Sequence, residues 1–179
     1  MNERLAADRT VAAYRLQARR AIANWSRGRR VPAFLKQFVS NLPSGARVLD
    51  YGCGIGREMR WMERGGLRVE GVDATLEFVR EARRRCPGVP IGHARFESVA
   101  LEPDAYDGIW CNAALMHVSP EELRRQLAKL HRALRPRGML GLTLAWGSRR
   151  GFVKPLYLPH ARMRPKVPPG RSASRNLSS

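Results

Sequence analysis

The sequence predicts an α/β protein with a mostly parallel central sheet. Two observations carry this. Short apolar, β-branched runs alternate with stretches of helical periodicity from about residue 45 to residue 145. The first of those runs also ends in a glycine-rich turn, "VLDYGCGIGRE" at residues 48–58. Strands alternating with helices form a parallel sheet covered on both faces by right-handed crossovers.

Each element has its own signal. "TVAAYRLQARRAIANW" and "VPAFLKQFVSNL" read as one or two helices leading into the sheet. "ARVLDYG" is a buried parallel strand closed by an acid and a glycine. "REMRWMERGG" is a helix stopped by Gly65 and Gly66. "LRVEGVD" is the second strand. The helix in "ATLEFVREARRRCPG" follows, with Leu76, Val79 and Ala82 on one face and Arg83 to Arg85 in its last turn. "VPIGHAR" is the third strand, and "AYDGIWCNAAL" the fourth.

The next helix is the best marked. Ser119 is its cap, Pro120 takes the first helical position, and Glu122 is placed to complete a capping box. Leu123, Leu127, Leu130 and Leu134 form its apolar stripe. "RPRG" then turns the chain into a fifth strand, "MLGLTLAW".

Composition narrows the function classes. At 179 residues the chain supports one core. No run approaches the roughly 20 apolar residues of a membrane helix, and the charged first 20 residues contain no secretory signal. A cytoplasmic protein without membrane contact is expected. Cys53, Cys86 and Cys111 are scattered, without metal-type spacing, so no metal site is expected and the thiols read as buried side chains.

The net charge of +18 invites a nucleic-acid partner. Residues 148–179, however, hold eight of the basic residues and no acid, leaving +10 on the first 147. Arginine outnumbers lysine 29 to 4, a bias that resembles coding preference as much as a binding surface.

The glycine turn lies where such sheets bind ligands, at the carboxyl ends of the strands. Dinucleotide sites use G-x-G-x-x-G, but here the third glycine's place is taken by Arg57. Asp50, two residues before Gly52, also gains nothing beside a pyrophosphate. An acid there suits a cation. Asp73, closing the second strand, is placed to accept bonds from ribose hydroxyls under either ligand. A nucleotide-dependent oxidoreductase therefore fails at Arg57 and Asp50.

"VLDYGCGIGRE", "VEGVD", "YDGIWCNAALMHV" and "LHRALRPRGMLGLTLAW", in this order and spacing, resemble the class I S-adenosylmethionine-dependent methyltransferases over roughly residues 31–146. The resemblance implies a Rossmann-like three-layer sandwich, S-adenosylmethionine as cofactor, and methyl transfer to an unidentified, small-molecule acceptor. It implies that Asp50, Gly52, Cys53, Gly54 and Gly56 surround the methionine half of the cofactor. Asp73 then holds the ribose with Ala74 against it, and Asn112 lies near the sulfonium.

The chain departs from the family after the third-strand glycine, where an acid is common and His93 stands instead. Adenine reading then falls to the backbone from Ala94 to Phe96, to Glu97, or to a weaker contact. Phe96 is either a stacking ring or a core residue. His117 is the candidate base by location, although "LMHV" also serves as a helix lead-in. His93, His131 and His160 rank lower, and Asn112 lacks the Pro-Pro-aromatic sequel of nucleobase amino methyltransferases. Tyr14 and Trp25 offer aromatic faces to the cofactor or to the core.

Three segments are expected: a helical lead-in over 1–30, the cofactor domain over 31–147, and a basic, Pro-rich, disordered tail over 148–179. Five prolines (Pro155, Pro159, Pro165, Pro168 and Pro169) mark that tail. The two strands that usually complete such sheets are therefore expected to be missing, with "GFVKPLYL" adding at most a few extended residues. A second reading follows from this: a truncated, non-catalytic cofactor-binding remnant with RNA contact through the tail. Oligomeric state has no signal in the sequence.

Overall fold

The computed structural model describes residues 3–27, 32–145 and 153–159. Two helices lead in, α1 (Glu3–Arg27) and α2 (Ala33–Ser40). The alternating region follows as β1 (Arg47–Tyr51), α3 (Arg57–Arg64), β2 (Arg68–Asp73), α4 (Leu76–Arg85), β3 (Ile91–His93), β4 (Tyr106–Asn112), a 3-10 turn (Leu115–His117), α5 (Pro120–Ala133) and β5 (Leu134–Ala145). A final strand, β6, spans Val153–Pro159.

The sheet order is β3-β2-β1-β4-β5-β6. The first five strands are parallel to one another, and β6 pairs antiparallel with β5. The expected α/β architecture is thus present.

Strand alternation assigns the two faces. Val48 and Trp110 join Leu35 and Phe38 of α2, Met59 and Met62 of α3, and Val79 and Ala82 of α4 in one apolar cluster. Leu49, Tyr51, Ile109 and Cys111 point the other way, against Leu130 and Ala133 of α5. α1 lies outside the first layer, where its Ala18 packs with Ile55 and Phe78.

Two expectations change. The sheet does not stop at β5, because Val153–Pro159 adds one strand with the register Met139↔Pro159 to Ala145↔Val153. Prolines concealed it in the sequence, yet an edge strand tolerates proline where the missing N–H would have faced outward. The rest of the tail expected over 148–179 lies outside the described residues.

The capping box is also only half made. The Ser119 hydroxyl accepts from the Glu122 N–H at 3.1 Å, but the Glu122 carboxylate accepts from Arg125 and Gln126 instead. The leucine stripe packs as expected, with Leu130 and Leu134 buried and Leu123 and Leu127 half-buried beside them.

Candidate functional site

The strand order reverses direction between β1 and β4, and a cavity of about 370 Å³ opens at their carboxyl ends. That is the crevice where open α/β sheets bind ligands.

The glycine turn forms its floor. Gly52 and Cys53 donate their N–H groups to the Val72 carbonyl at 2.8 and 3.0 Å, strapping the turn to β2. Gly52 has φ +89°, and a Cβ added there would overlap the Ala114 methyl and press on the Phe96 ring at 3.4 Å. Gly56, at φ +74°, caps α3 from a left-handed conformation. Only glycine meets both demands without strain.

Asp73 is fixed from two sides. Its Oδ2 accepts from the Gly54 N–H at 2.9 Å and its Oδ1 from the Thr75 N–H at 2.8 Å. Each oxygen keeps capacity for a further donor from the cavity. Burial raises its pKa, while the Thr75 and Gly54 N–H groups pull it back.

Asp50 is 1% exposed, and its Oδ2 has no hydrogen-bond partner. Burial first, then the nearby Glu58 and Asp73 carboxylates, push its pKa well above the ordinary aspartate value. Such an atom needs a cation or a proton.

At the end of β4, the Asn112 Oδ1 accepts from the Thr143 hydroxyl at 2.6 Å, and that hydroxyl oxygen accepts from the Ala113 N–H at 2.7 Å. The Asn112 amide donates to Glu58 at 2.8 Å. Across the cavity, the segment after β3 is clamped from below. The Phe96 carbonyl accepts from the Tyr51 hydroxyl at 3.2 Å and from the Lys129 ammonium at 2.5 Å, and Lys129 also donates to the Val99 carbonyl at 3.1 Å. The Phe96 ring stacks on Tyr51 at 4.5 Å.

Among the residues expected at the site, Gly52, Cys53, Gly54, Asp73, Ala74, Phe96 and Asn112 line the cavity together. Asp50 and Gly56 are buried beneath the turn rather than at its mouth. Ala94 is a correction, because its N–H is spent on the Asp73 carbonyl at 3.1 Å and it packs on the α5 side of the core. Arg95, Phe96 and Glu97 form that wall instead.

His93 sits outside the lining, its ring within 3.1 Å of the Ala74 carbonyl. Phe96 is both core and wall. His117 ends the 3-10 turn between the lining residues Met116 and Val118, and its side chain lies outside those described. Trp25's side chain is likewise not described. Tyr14 does reach the cavity from α1, edge-on to Phe78 at 5.8 Å.

All three cysteines are buried and free, and burial pushes the Cys111 thiol up to about 12. The described residues contain no cluster able to hold a metal and no helix long and apolar enough to cross a membrane.

Sequence reasoning missed Glu58, Thr75 and Met116. Glu58 had a weak signal, an acid in the first turn of the helix after the glycine turn. Thr75 and Met116 had none.

A family model described as a methyltransferase domain matches residues 48–138, half of the chain, including the turn, Asp73 and Asn112. The chain belongs to this family, the class I S-adenosylmethionine-dependent methyltransferases. Across 98 residues it is 34% identical to a malonyl-[acyl-carrier protein] O-methyltransferase of Enterobacter lignolyticus, covering 55% of this chain and 38% of that protein.

Over 108 residues it is 37% identical to a ubiquinone biosynthesis O-methyltransferase of Xanthomonas axonopodis pv. citri, covering 56% of this chain and 44% of that one. The matched region thus spans less than half the length of these curated relatives. A crystal structure of an S-adenosylmethionine-dependent methyltransferase from Mesorhizobium loti superposes with a TM-score of 0.56 at 25% identity, covering 72% of this chain and 63% of that one.

S-adenosylmethionine is this family's cofactor, and the donor set here fits it. An orphaned buried carboxylate oxygen lies beneath the glycine turn, and a second acid on the cavity wall has free acceptor capacity.

The Phe96 clamp yields a prediction of its own. Lys129→Met removes two charge-assisted bonds and is expected to cost about 2 kcal/mol of stability and to weaken adenosine binding several-fold. Urea unfolding and adenosine titration measure both. Unchanged adenosine affinity would show that the clamp does not shape the site.

Proposed function

We propose that this methyltransferase-family chain transfers a methyl group from S-adenosylmethionine to an oxygen of a small-molecule acceptor. One observation carries the donor reading: Asp50, buried and unpartnered at Oδ2, lies under a glycine turn whose shape admits a ligand and whose acids favour a positive one. The oxygen acceptor is supported by the O-methyltransferases that the chain is similar to.

On this reading Asp73 holds the ribose, and Ala74 and the wall from Arg95 to Glu97 flank the adenine. Asp50 and the turn hold the methionine half, and Asn112, braced by Thr143, borders the reacting end. The cofactor supplies an already activated methyl on a sulfonium. The protein's work is therefore alignment and exclusion of water. Tyr14 and Phe78 give one wall of the cavity an apolar, aromatic character suited to a positive sulfur. His117 stays our candidate for taking a proton from an alcohol acceptor, on its place at the β4 end.

The reading is tested by calorimetric titration of S-adenosylhomocysteine against a pyrophosphate dinucleotide. Binding of the first alone is expected. Preference for the dinucleotide, or binding of neither, would overturn it. The remnant reading with RNA contact rests on the tail beyond the described residues, and no observation favours it.

The acids also set a pH dependence. In the unfolded chain these carboxyls ionise near pH 4, whereas in the ligand-free fold Asp50 and Asp73 hold their protons to higher pH. The stability these two acids contribute is therefore full below about pH 4 and is lost as pH rises through their raised native values. A cation in the cavity favours the ionised acids, so binding strengthens over the same rise and expels protons. Titrations of S-adenosylhomocysteine above about pH 4 in two buffers of different ionisation enthalpy are expected to give different heats. Identical heats would contradict the assignment.

A further inference from the structure

We propose that Glu58 is a second carboxylate, beside Asp50, for the α-ammonium of the donor's amino-acid moiety, and that it makes the site discriminate for ligands carrying that ammonium. The inference rests on the donor reading above and names a residue that reading does not use.

Glu58 stands in the first turn of α3, and its side chain is turned onto the end of β4. Its Oε2 accepts from the Trp110 indole N–H at 2.6 Å and its Oε1 from the Asn112 amide at 2.8 Å. Both donors are neutral, so they fix the carboxylate without cancelling its charge.

The fixing is rigid. Trp110 is fully buried, stacked on Phe34 at 4.5 Å and tilted against Phe38 at 5.1 Å. Asn112 is braced by Thr143 at 2.6 Å. A carboxylate held this way from the core is preorganised toward whatever enters the cavity it lines.

What enters there is decided by the neighbour. Asp50 pairs in register with Trp110, so both side chains leave the sheet on the α3 face, toward Glu58. Glu58 is close enough to raise the Asp50 pKa by repulsion. The Asp50 Oδ2 has no partner, and Asp50 is 1% exposed.

Glu58 thus lines the cavity with the buried, unpartnered Asp50 behind it. Among the described residues the cation beside Glu58 is Arg57, whose guanidinium reaches Oε1 at 3.5 Å from a side chain 38% exposed, against 12% for Glu58. That contact lies at the rim and leaves Asp50 unmatched. A compact ammonium can bond Glu58 while lying in the field of Asp50, because one of Glu58's four lone-pair sites remains after Trp110, Asn112 and Arg57 are served.

The test uses three ligands with the same adenosine: S-adenosylhomocysteine, its deaminated analogue that keeps the carboxylate, and 5′-methylthioadenosine, which has neither group. Wild-type protein is expected to bind the first more tightly than the deaminated analogue. Glu58→Gln is expected to weaken S-adenosylhomocysteine about tenfold or more and to leave the other two within about twofold, collapsing that preference.

Unchanged methylthioadenosine binding shows that the variant is folded and its adenosine end intact. Glu58→Asp, which keeps the charge one methylene further back, is expected to retain part of the preference. Equal weakening of all three ligands by Glu58→Gln would make Glu58 a packing residue and overturn the proposal, as would unchanged S-adenosylhomocysteine affinity. Wild-type protein that binds none of the three overturns the donor reading itself, and this inference with it. The two failures are therefore distinguishable.

Discussion

Replacing Asp73 by alanine is expected to weaken S-adenosylhomocysteine binding by two to three orders of magnitude. The carboxylate accepts from the Gly54 and Thr75 N–H groups, one on each oxygen, and these bonds aim its remaining lone pairs into the cavity. Two ribose hydroxyls bonded to an ionised acid contribute about 1.5–3 kcal/mol each. Removing the carboxylate also deletes the Gly54 bond, one of three that tie the glycine turn to the end of β2, so part of the loss is preorganisation.

Because the ribose is common to both ligands, 5′-methylthioadenosine should lose affinity as strongly as S-adenosylhomocysteine, unlike the pattern expected at Glu58. Calorimetry on both settles it. A loss under about fivefold would remove Asp73 from the ribose-binding role.

The second large effect is on folding. Gly52→Ala is expected to destabilise the protein by about 3 kcal/mol and to lower its melting temperature by roughly 10 °C. Two penalties add. At φ +89° an L side chain is strained by roughly 1–2 kcal/mol, and the new methyl would overlap that of Ala114, an overpacking cost of about 1–3 kcal/mol.

Gly45→Ala separates the two. Gly45 has φ +74° but nothing within 4 Å of an added Cβ, so it should show the strain alone, about 1 kcal/mol. Urea unfolding of both variants is the measurement. Equal losses would mean that the turn yields to the methyl and that the close approach of the Ala114 segment is not a constraint.

The site was legible where local chemistry and ligand chemistry coincide. Asp50, the glycines and Asp73 lie at fixed offsets from strand ends, so their place follows once the strands are recognised. Glu58 was not legible. Its partners Trp110 and Asn112 are 52 and 54 residues away, and only the pairing of β1 with β4 brings α3 over them. The Lys129 clamp on Phe96 spans 33 residues for the same reason. Ala94 falls outside the cavity lining because its N–H continues the sheet to the Asp73 carbonyl, a matter of one residue in where the strand ends. β6 was expected as no more than a few extended residues because of its prolines, which an edge strand carries without penalty.

By itself the sequence determined the order of strands and helices, the turn at Gly52 to Gly56 and the acids beside it, since these depend on periodicity, backbone freedom and charge within a few residues. Tertiary structure alone decided that Asp50 is buried rather than at the mouth, that Glu58 joins it, and that the cavity wall at Phe96 is braced from α5. Burial and like-charge proximity arise from segments far apart in the chain, so no local pattern records them until the sheet has closed.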